Sequence, residues 1–286
     1  MNRTIETGTD TVRIDVVDRI GIITLNRPDR RNALHDDMYA PVIAAVEEFA
    51  AAPDVGCIVV TGAGSAFCAG GDVRDGSGRG ADGTKPTPEE RAAALAANSR
   101  ITVVLHEAPI ITIAAVNGPA VGAGLAIALA CDLRIAASSA TFVTGWARLG
   151  FSGDMGGPWL LAHRIGPARA LELLATNGSI GASEALQIGM VERVVHEGDD
   201  FEAAWRAWAA MFAAGPQVAI GYMKANVANA HRLTLAEAVA VEARHQVATT
   251  ATPDHREGVR AWIEKRPPQF GADVRTESIN ESRSGR

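Results

Sequence analysis

The sequence predicts a layered α/β fold, and three observations predict it. Strand-like apolar runs alternate with helix-length stretches as far as about residue 136. Two of those runs, 57–61 and 110–116, end in glycine-rich stretches, Phe67-Cys68-Ala69-Gly70-Gly71-Asp72 and Asn117-Gly118-Pro119-Ala120-Val121-Gly122-Ala123-Gly124. Past about residue 197 the pattern becomes all helical. A strand that ends in small residues brings backbone close to something, and backbone N–H groups are the tool such a site offers. Two of them aimed at one point form an oxyanion hole.

The elements follow in order. Residues 11–17 and 20–25 alternate around Asp18-Arg19, which predicts a hairpin. After Asn26-Arg27-Pro28 a helical stretch covers about 35–51, with Pro41 near its beginning, where it kinks the helix or delays its start. Strand 57–61 leads into the first glycine stretch. Residues 74–90, rich in Gly, Asp, Pro and Thr, read as a loop. Helix 89–106, strand 110–116, the second glycine stretch, helix 122–130 and strand 132–136 come next. This alternation is that of α/β layers. Helices over about 200–213, 216–230, 234–248 and 254–265 complete the chain. The organisation read from this is a flexible N-terminus (1–11), a core domain (12–197), a helical C-terminal region (198–270) and a polar, disordered tail (271–286).

Composition narrows the function. The 286 residues are 47% hydrophobic but only 5% aromatic, so packing rests on Ala, Val, Ile and Leu. A net charge of −6 with no basic run argues against a nucleic-acid partner. Cys57, Cys68 and Cys131 lie among apolar residues without a Cys-x-x-Cys, as reduced core residues of a cytoplasmic protein do. The polar N-terminus lacks the apolar region of a secretory signal. The most lipid-like segment, 108–131, is broken by Asn117-Gly118-Pro119 and reads as strand, turn and buried helix rather than a membrane span.

Several signatures nearly match and then miss. Gly62-Ala63-Gly64 and Gly122-Ala123-Gly124 begin a dinucleotide fingerprint, but Phe67 and Ile127 stand where its last glycine belongs. Gly150-Phe151-Ser152-Gly153-Asp154 lacks the last glycine of a nucleophile elbow. His106-Glu107 opens a zincin pattern that Ile110 ends. Nicotinamide, serine-triad and metal chemistry are therefore disfavoured, and no metal ligand is assigned.

The features that remain resemble the crotonase superfamily of enoyl-CoA hydratases and isomerases, from about residue 12 to 270. The resemblance rests on Leu25-Asn26-Arg27-Pro28 with Asn32-Ala33-Leu34, on 67–73, 115–124 and Ala130-Cys131-Asp132-Leu133. It also rests on Arg148-Leu149-Gly150 with Asp154-Met155-Gly156-Gly157, and on Glu257-Gly258-Val259 through Glu264-Lys265-Arg266. It implies a spiral of β-β-α units with a helical C-terminal trimerisation region, assembled as homotrimers or as hexamers that are dimers of trimers. It also implies an acyl-CoA substrate, with coenzyme A arriving as part of that substrate and no permanently bound cofactor. The thioester oxygen would accept the N–H groups of Gly71 and Ala123. Ala123 also opens a predicted helix, whose first amides lack internal partners.

Hydratases of this family carry two glutamates, and the matching positions here are Ala126 and Trp146. Hydration needs a base for water and an acid for the α-carbon. The resemblance instead points to Asp154, where a subgroup including phenylacetate-type isomerases carries a catalytic aspartate. A double-bond shift needs one group that takes a proton at one carbon and returns it two carbons away. An aspartate in an apolar pocket suits that task. Read without the family, Asp154 is a turn residue. It lies three positions before Gly157, the cap that Pro158 at the first helical position implies.

The further substrate- or CoA-binding candidates are Arg30, Arg31, Ala33, Ala69, Asp72, Val73, Trp146, Trp262 and Lys265. Trp146 would shape the acyl pocket, and Asp72 also reads as a turn-fixing residue. Arg30 or Arg31 would reach the CoA phosphates or adenine, or else is a solvated arginine. Trp262 and Lys265 match residues that family members lend to a neighbouring subunit's CoA. In isolation, Lys265 is a cation at a helix C-terminus.

Overall fold

The computed structural model describes residues 2–72 and 86–271. Its centre is a seven-stranded sheet of β1 (Arg3–Ile5), β2 (Val12–Val17), β3 (Ile20–Leu25), β4 (Cys57–Gly62), β5 (Ile111–Val116), β7 (Leu133–Ala137) and β10 (Arg193–Val195), side by side in that order. A smaller sheet joins β6 (Ala120–Val121), β8 (Thr141–Val143) and β9 (Ser179–Gly181). The predicted hairpin is present: β2 and β3 pair antiparallel from Val12↔Leu25 to Val17↔Ile20. Asp18 and Arg19 close it at φ 51° and 68°, both left-handed, as a two-residue turn between twisted strands requires. From β3 through β10 the neighbours run parallel.

Parallel strands need cover on both faces, and side chains alternate between those faces. Ile23, Leu25, Ile58, Val60, Ala114 and Val116 pack into one core. There they meet α1 (Asp36–Ala51), α2 (Pro88–Glu107) and α3 (Ala123–Ala130) through Met38, Phe49, Ile101, Leu105 and all eight residues of α3. Ile20, Ile22, Cys57, Val59, Ile113 and Ala115 face the opposite way. The short helices α4 (Gly157–Ile165), whose start Pro158 implied, and α5 (Pro167–Ala175) and α6 (Ala182–Gln187), unread in the sequence, carry the chain from the small sheet toward β10.

Several expectations are corrected. The helix α7 (Phe201–Ala213), assigned to a separate C-terminal region, covers that second face with Trp205, Trp208, Ala209 and Ala213. The physical reason is the apolar underside of β3, β4 and β5, which among the described residues α7 shields. The flexible N-terminus over 1–11 is replaced by β1, paired with β2 and held by ion pairs of Arg3 with Asp54 and Glu48. Pro41 does not delay α1, which starts at Asp36. Of the stretch read as a loop over 74–90, residues 74–85 lie outside the described residues, and helix begins at Pro88, where Thr87 and Glu90 form a capping box. Of the tail, Gly271 is held by a hydrogen bond from its N–H to Asp254 Oδ1 at 2.9 Å.

Past α7 the chain forms α8 (Gln217–Asn229), α9 (Leu235–Thr250) and α10 (Pro253–Glu264). α8 docks on the core through Lys224, whose ammonium lies 2.7 Å from Asp132 Oδ2. The same carboxylate oxygen accepts from Thr112 N at 2.9 Å and Thr112 Oγ1 at 3.0 Å, which joins α8, β5 and the end of α3. Arg134 beside it is fully buried. It donates to Met190 O, Cys131 O and Glu192 at 2.5–2.8 Å, so its charge is matched and its donors are occupied.

Because α7 is a wall of the core, truncating it should act like a core deletion. Trp208→Ala should lower stability in urea unfolding by about 3–5 kcal/mol.

Candidate active site

The two glycine-rich stretches lie side by side at backbone contact. Val121 N donates to Cys68 O at 2.9 Å, and Phe67 N and Cys68 N both donate to Pro119 O at 3.1 Å. Space there excludes side chains: a Cβ on Gly124 would overlap Cys68 O, and one on Gly118 would overlap Ser65 O. Two asparagines hold the approach. The fully buried Asn32 donates to Ala63 O (2.9 Å) and Ala66 O (2.8 Å) and accepts from Arg27 N (2.9 Å). Asn117 donates to Gly62 O and Gly64 O, both at 2.9 Å. Both asparagines lie within stretches legible in the sequence, but their bracing role was not.

Gly71 and Ala123 sit where these turns meet. Among the described residues neither amide donates to another protein group. A Cβ on Gly70, itself at φ 91°, would stand 3.8 Å from Ala123 N, so the two turns converge. Gly122 caps α3 at φ 53° and ψ −117°, a conformation that glycine alone adopts readily. Ala123 therefore presents its amide at the positive end of a buried helix. An anionic oxygen placed between the two amides would find two donors that no protein group occupies among the described residues.

The carboxylate is supplied by the next part of the chain. Trp146 follows β8 and is 5% exposed. Its indole N–H donates to Asp154 Oδ1 at 2.8 Å. A Cβ on Gly122 would lie 3.9 Å from the same indole nitrogen, which brings the Trp146–Asp154 pair alongside the Ala123 turn. Asp154 is half-buried and belongs to the turn before α4, where Gly153, Met155 and Gly156 all have positive φ. Its own carbonyl accepts from Gly157 N at 2.8 Å. The cap of α4 is Gly156, one residue earlier than Pro158 implied.

The other candidates divide into two groups. Arg31 O accepts from Ala69 N at 2.9 Å, Gly70 O from Leu34 N at 2.8 Å, and Leu34 O from Asp72 N at 3.0 Å. Arg30, Arg31, Ala33, Ala69 and Asp72 therefore share the edge that carries Gly71, with both arginines exposed. The Asp72 carboxylate lies 3.0 Å from Arg27 and is nearly enclosed, which makes it a brace of this loop. Val73 lies outside the described residues. Trp262 and Lys265 are not brought to the site within one chain. They sit at the end of α10, which packs against α9, and Trp262 is 86% exposed.

Tyr39 escaped the sequence reading. It lies on α1, and burial first, then the charges of Cys68, Asp36 and Asp154, push its phenol up to about 12. It is thus a neutral donor whose ionisation senses Asp154, and only the fold brings the two near. Burial likewise pushes the Cys68 and Cys131 thiols up to about 12, which removes a thiolate nucleophile. Ala126 is fully buried and apolar. Among the described residues no group of His, Cys, Asp and Glu could hold a metal ion, and no helix is long and apolar enough to cross a membrane.

Known proteins are similar to this chain over most of its length. The Enoyl-CoA hydratase/isomerase family model matches residues 16–273. A probable enoyl-CoA hydratase of Rhodobacter capsulatus is 38% identical over 260 residues, covering 91% of this chain and 97% of the relative. The 1,2-epoxyphenylacetyl-CoA isomerase of Escherichia coli is 36% identical over 248 residues, covering 87% of this chain and 93% of the relative. The crystal structure of an enoyl-CoA hydratase from Polaromonas sp. JS666 superposes with a TM-score of 0.82 at 34% identity, over 90% of this chain and 98% of that one. With a fold, a pair of converging turns and a match of this extent, the chain belongs to the enoyl-CoA hydratase/isomerase family, whose members act on acyl-CoA thioesters.

Proposed function

We propose that the protein is an acyl-CoA double-bond isomerase in which Asp154 carries the proton. The observation that carries this reading is the Asp154 carboxylate, bound to the Trp146 indole beside the Ala123 turn, as the acid–base group next to the two amides. Ala126 and Trp146 stand where the paired glutamates of a hydratase would be, and neither can transfer a proton to or from carbon or water. A 3-enoyl thioester would lose a proton from C2 to the Asp154 carboxylate. The electron pair would move into a dienolate whose oxygen accepts the N–H groups of Gly71 and Ala123. The carboxylic acid would then return the proton at C4, leaving the conjugated 2-enoyl thioester and a regenerated carboxylate. Nothing in this cycle requires a bound cofactor, because coenzyme A enters with the substrate.

The reading extends to assembly as a homotrimer or a dimer of trimers. On α8, α9 and α10 only Ala261 is buried, while Met223, Val227, Leu235, Val239, Val247, Val259, Trp262 and Ile263 are exposed. An open groove of about 430 Å³ runs between α8 and α9, lined in part by Tyr222, Met223, Val239 and His245. Helices this bare are covered by other copies of the chain in an oligomer. Such an arrangement would give Trp262 and Lys265 a neighbouring subunit's CoA to contact.

Two measurements test the proposal. Absorbance of the conjugated thioester should appear when a 3-enoyl-CoA is supplied, and should persist when a trans-2-enoyl-CoA is supplied. Its loss from the trans-2-enoyl-CoA would mean water addition, and no change with any acyl-CoA would mean a silent CoA-binding protein. Asp154→Asn should reduce isomerisation by roughly 10²–10⁴-fold, the usual worth of a positioned acid–base group. Light scattering under active conditions should give the mass of three or six chains. A mass of one chain would remove the assembly and the shared CoA contact.

A further inference from the structure

We propose that Trp146 is the positioning residue of the site: it holds one oxygen of Asp154 and leaves the other to work on the substrate. The inference rests on the reading of Asp154 as proton carrier and adds a residue to it. The indole N–H is a donor with no acceptor capacity, and a buried one requires a partner. Its partner here is Asp154 Oδ1 at 2.8 Å, and no other hydrogen bond to the Asp154 side chain occurs among the described residues. Oδ2 is thus the oxygen available for proton transfer.

The housing of the ring supports a dedicated role. Two glycines from other segments lie against it. A Cβ on Gly157 would overlap Trp146 Cη2 and stand 2.8 Å from Cζ2. A Cβ on Gly122 would stand 3.9 Å from Nε1, in ordinary contact. Gly145, the residue before the tryptophan, turns the chain at φ 72°, and a Cβ there would press on Val121. The indole therefore fits only while Gly157 stays bare, and it is 5% exposed. Asp154 is equally confined, with Gly153 at φ 105°, Met155 at φ 55° and Gly156 at φ 70° around it. The ring fixes the carboxylate relative to the amide of Ala123, so both groups would act on one substrate from set positions.

A charge-assisted hydrogen bond to one oxygen also holds the carboxylate in a single orientation. The alternative is that Asp154 merely satisfies a buried indole, with no effect on turnover beyond stability.

The test uses the full chain with Trp146→Phe. A second variant replaces Trp146 by its benzothiophene isostere, in which sulfur takes the place of the N–H and the ring shape is kept for folding. Each should lower kcat for 3-enoyl-CoA isomerisation about 10- to 100-fold, the rate equivalent of a hydrogen bond to a charged group, while KM changes less than about threefold. Added to Asp154→Asn, the loss of the indole N–H should cost nothing further, because the two residues act as one unit. An isostere with native kcat, alongside an impaired Asp154→Asn, would overturn the inference and leave Asp154 as proton carrier. Additive losses in the double variant would also overturn it. An unimpaired Asp154→Asn would remove both.

Discussion

The structure depends on the packing of two main-chain turns against each other with nothing but hydrogen between them. Cys68 and Val121 share a backbone hydrogen bond, and Gly124 has no room for a methyl group against Cys68 O. This contact does what a short side chain would do elsewhere, with less freedom. The turns end parallel strands β4 and β5, whose register is set by the two buried cores on either side. Asn32 and Asn117 then saturate the carbonyls of the first turn, so its backbone is hydrogen-bonded without being part of a sheet. The amides of Gly71 and Ala123 are what this arrangement leaves over.

Charge is handled differently in the site and in the scaffold. Arg134 is enclosed by its partners and Asp132 takes Thr112 and Lys224 on one oxygen, which locks β7, β5 and α8 together. Asp154 has one partner and a half-exposed position. A fully satisfied buried network resists change, whereas a carboxylate with one spare oxygen can take part in it. The same contrast separates Asp72, paired with Arg27, from its neighbour Gly71, which lies beside open space.

Much of the fold was legible because it is written in local chemistry. The hairpin could be read from alternation around Asp18-Arg19, and the two strands and turns from apolar runs ending in glycine. The neighbourhood of Asp154 was legible as a motif but its geometry was not. Which atom an indole N–H meets depends on rotamers and on glycines, Gly122 and Gly157, that lie in other turns. Tyr39 is carried to the core by the packing of α1, which no spacing in the sequence could disclose. The allegiance of α7 was misread for a related reason. Its Trp205 and Trp208 carry the amphipathic signal of any surface helix, and only the uncovered side of β3, β4 and β5 says where that helix belongs. Short elements such as β9 and α6 offer too few residues for periodicity to register.

The cysteines carry a consequence of their own. Cys57, Cys68 and Cys131 are all unbonded and fully enclosed, and Cys68 lies directly beneath the glycine contact. A water-soluble alkylating reagent can meet these sulfurs only when the chain opens. The native protein therefore contains its own breathing sensor: labelling at Cys68 reads how often the two turns part, while labelling at Cys57 reads separation of α7 from the sheet.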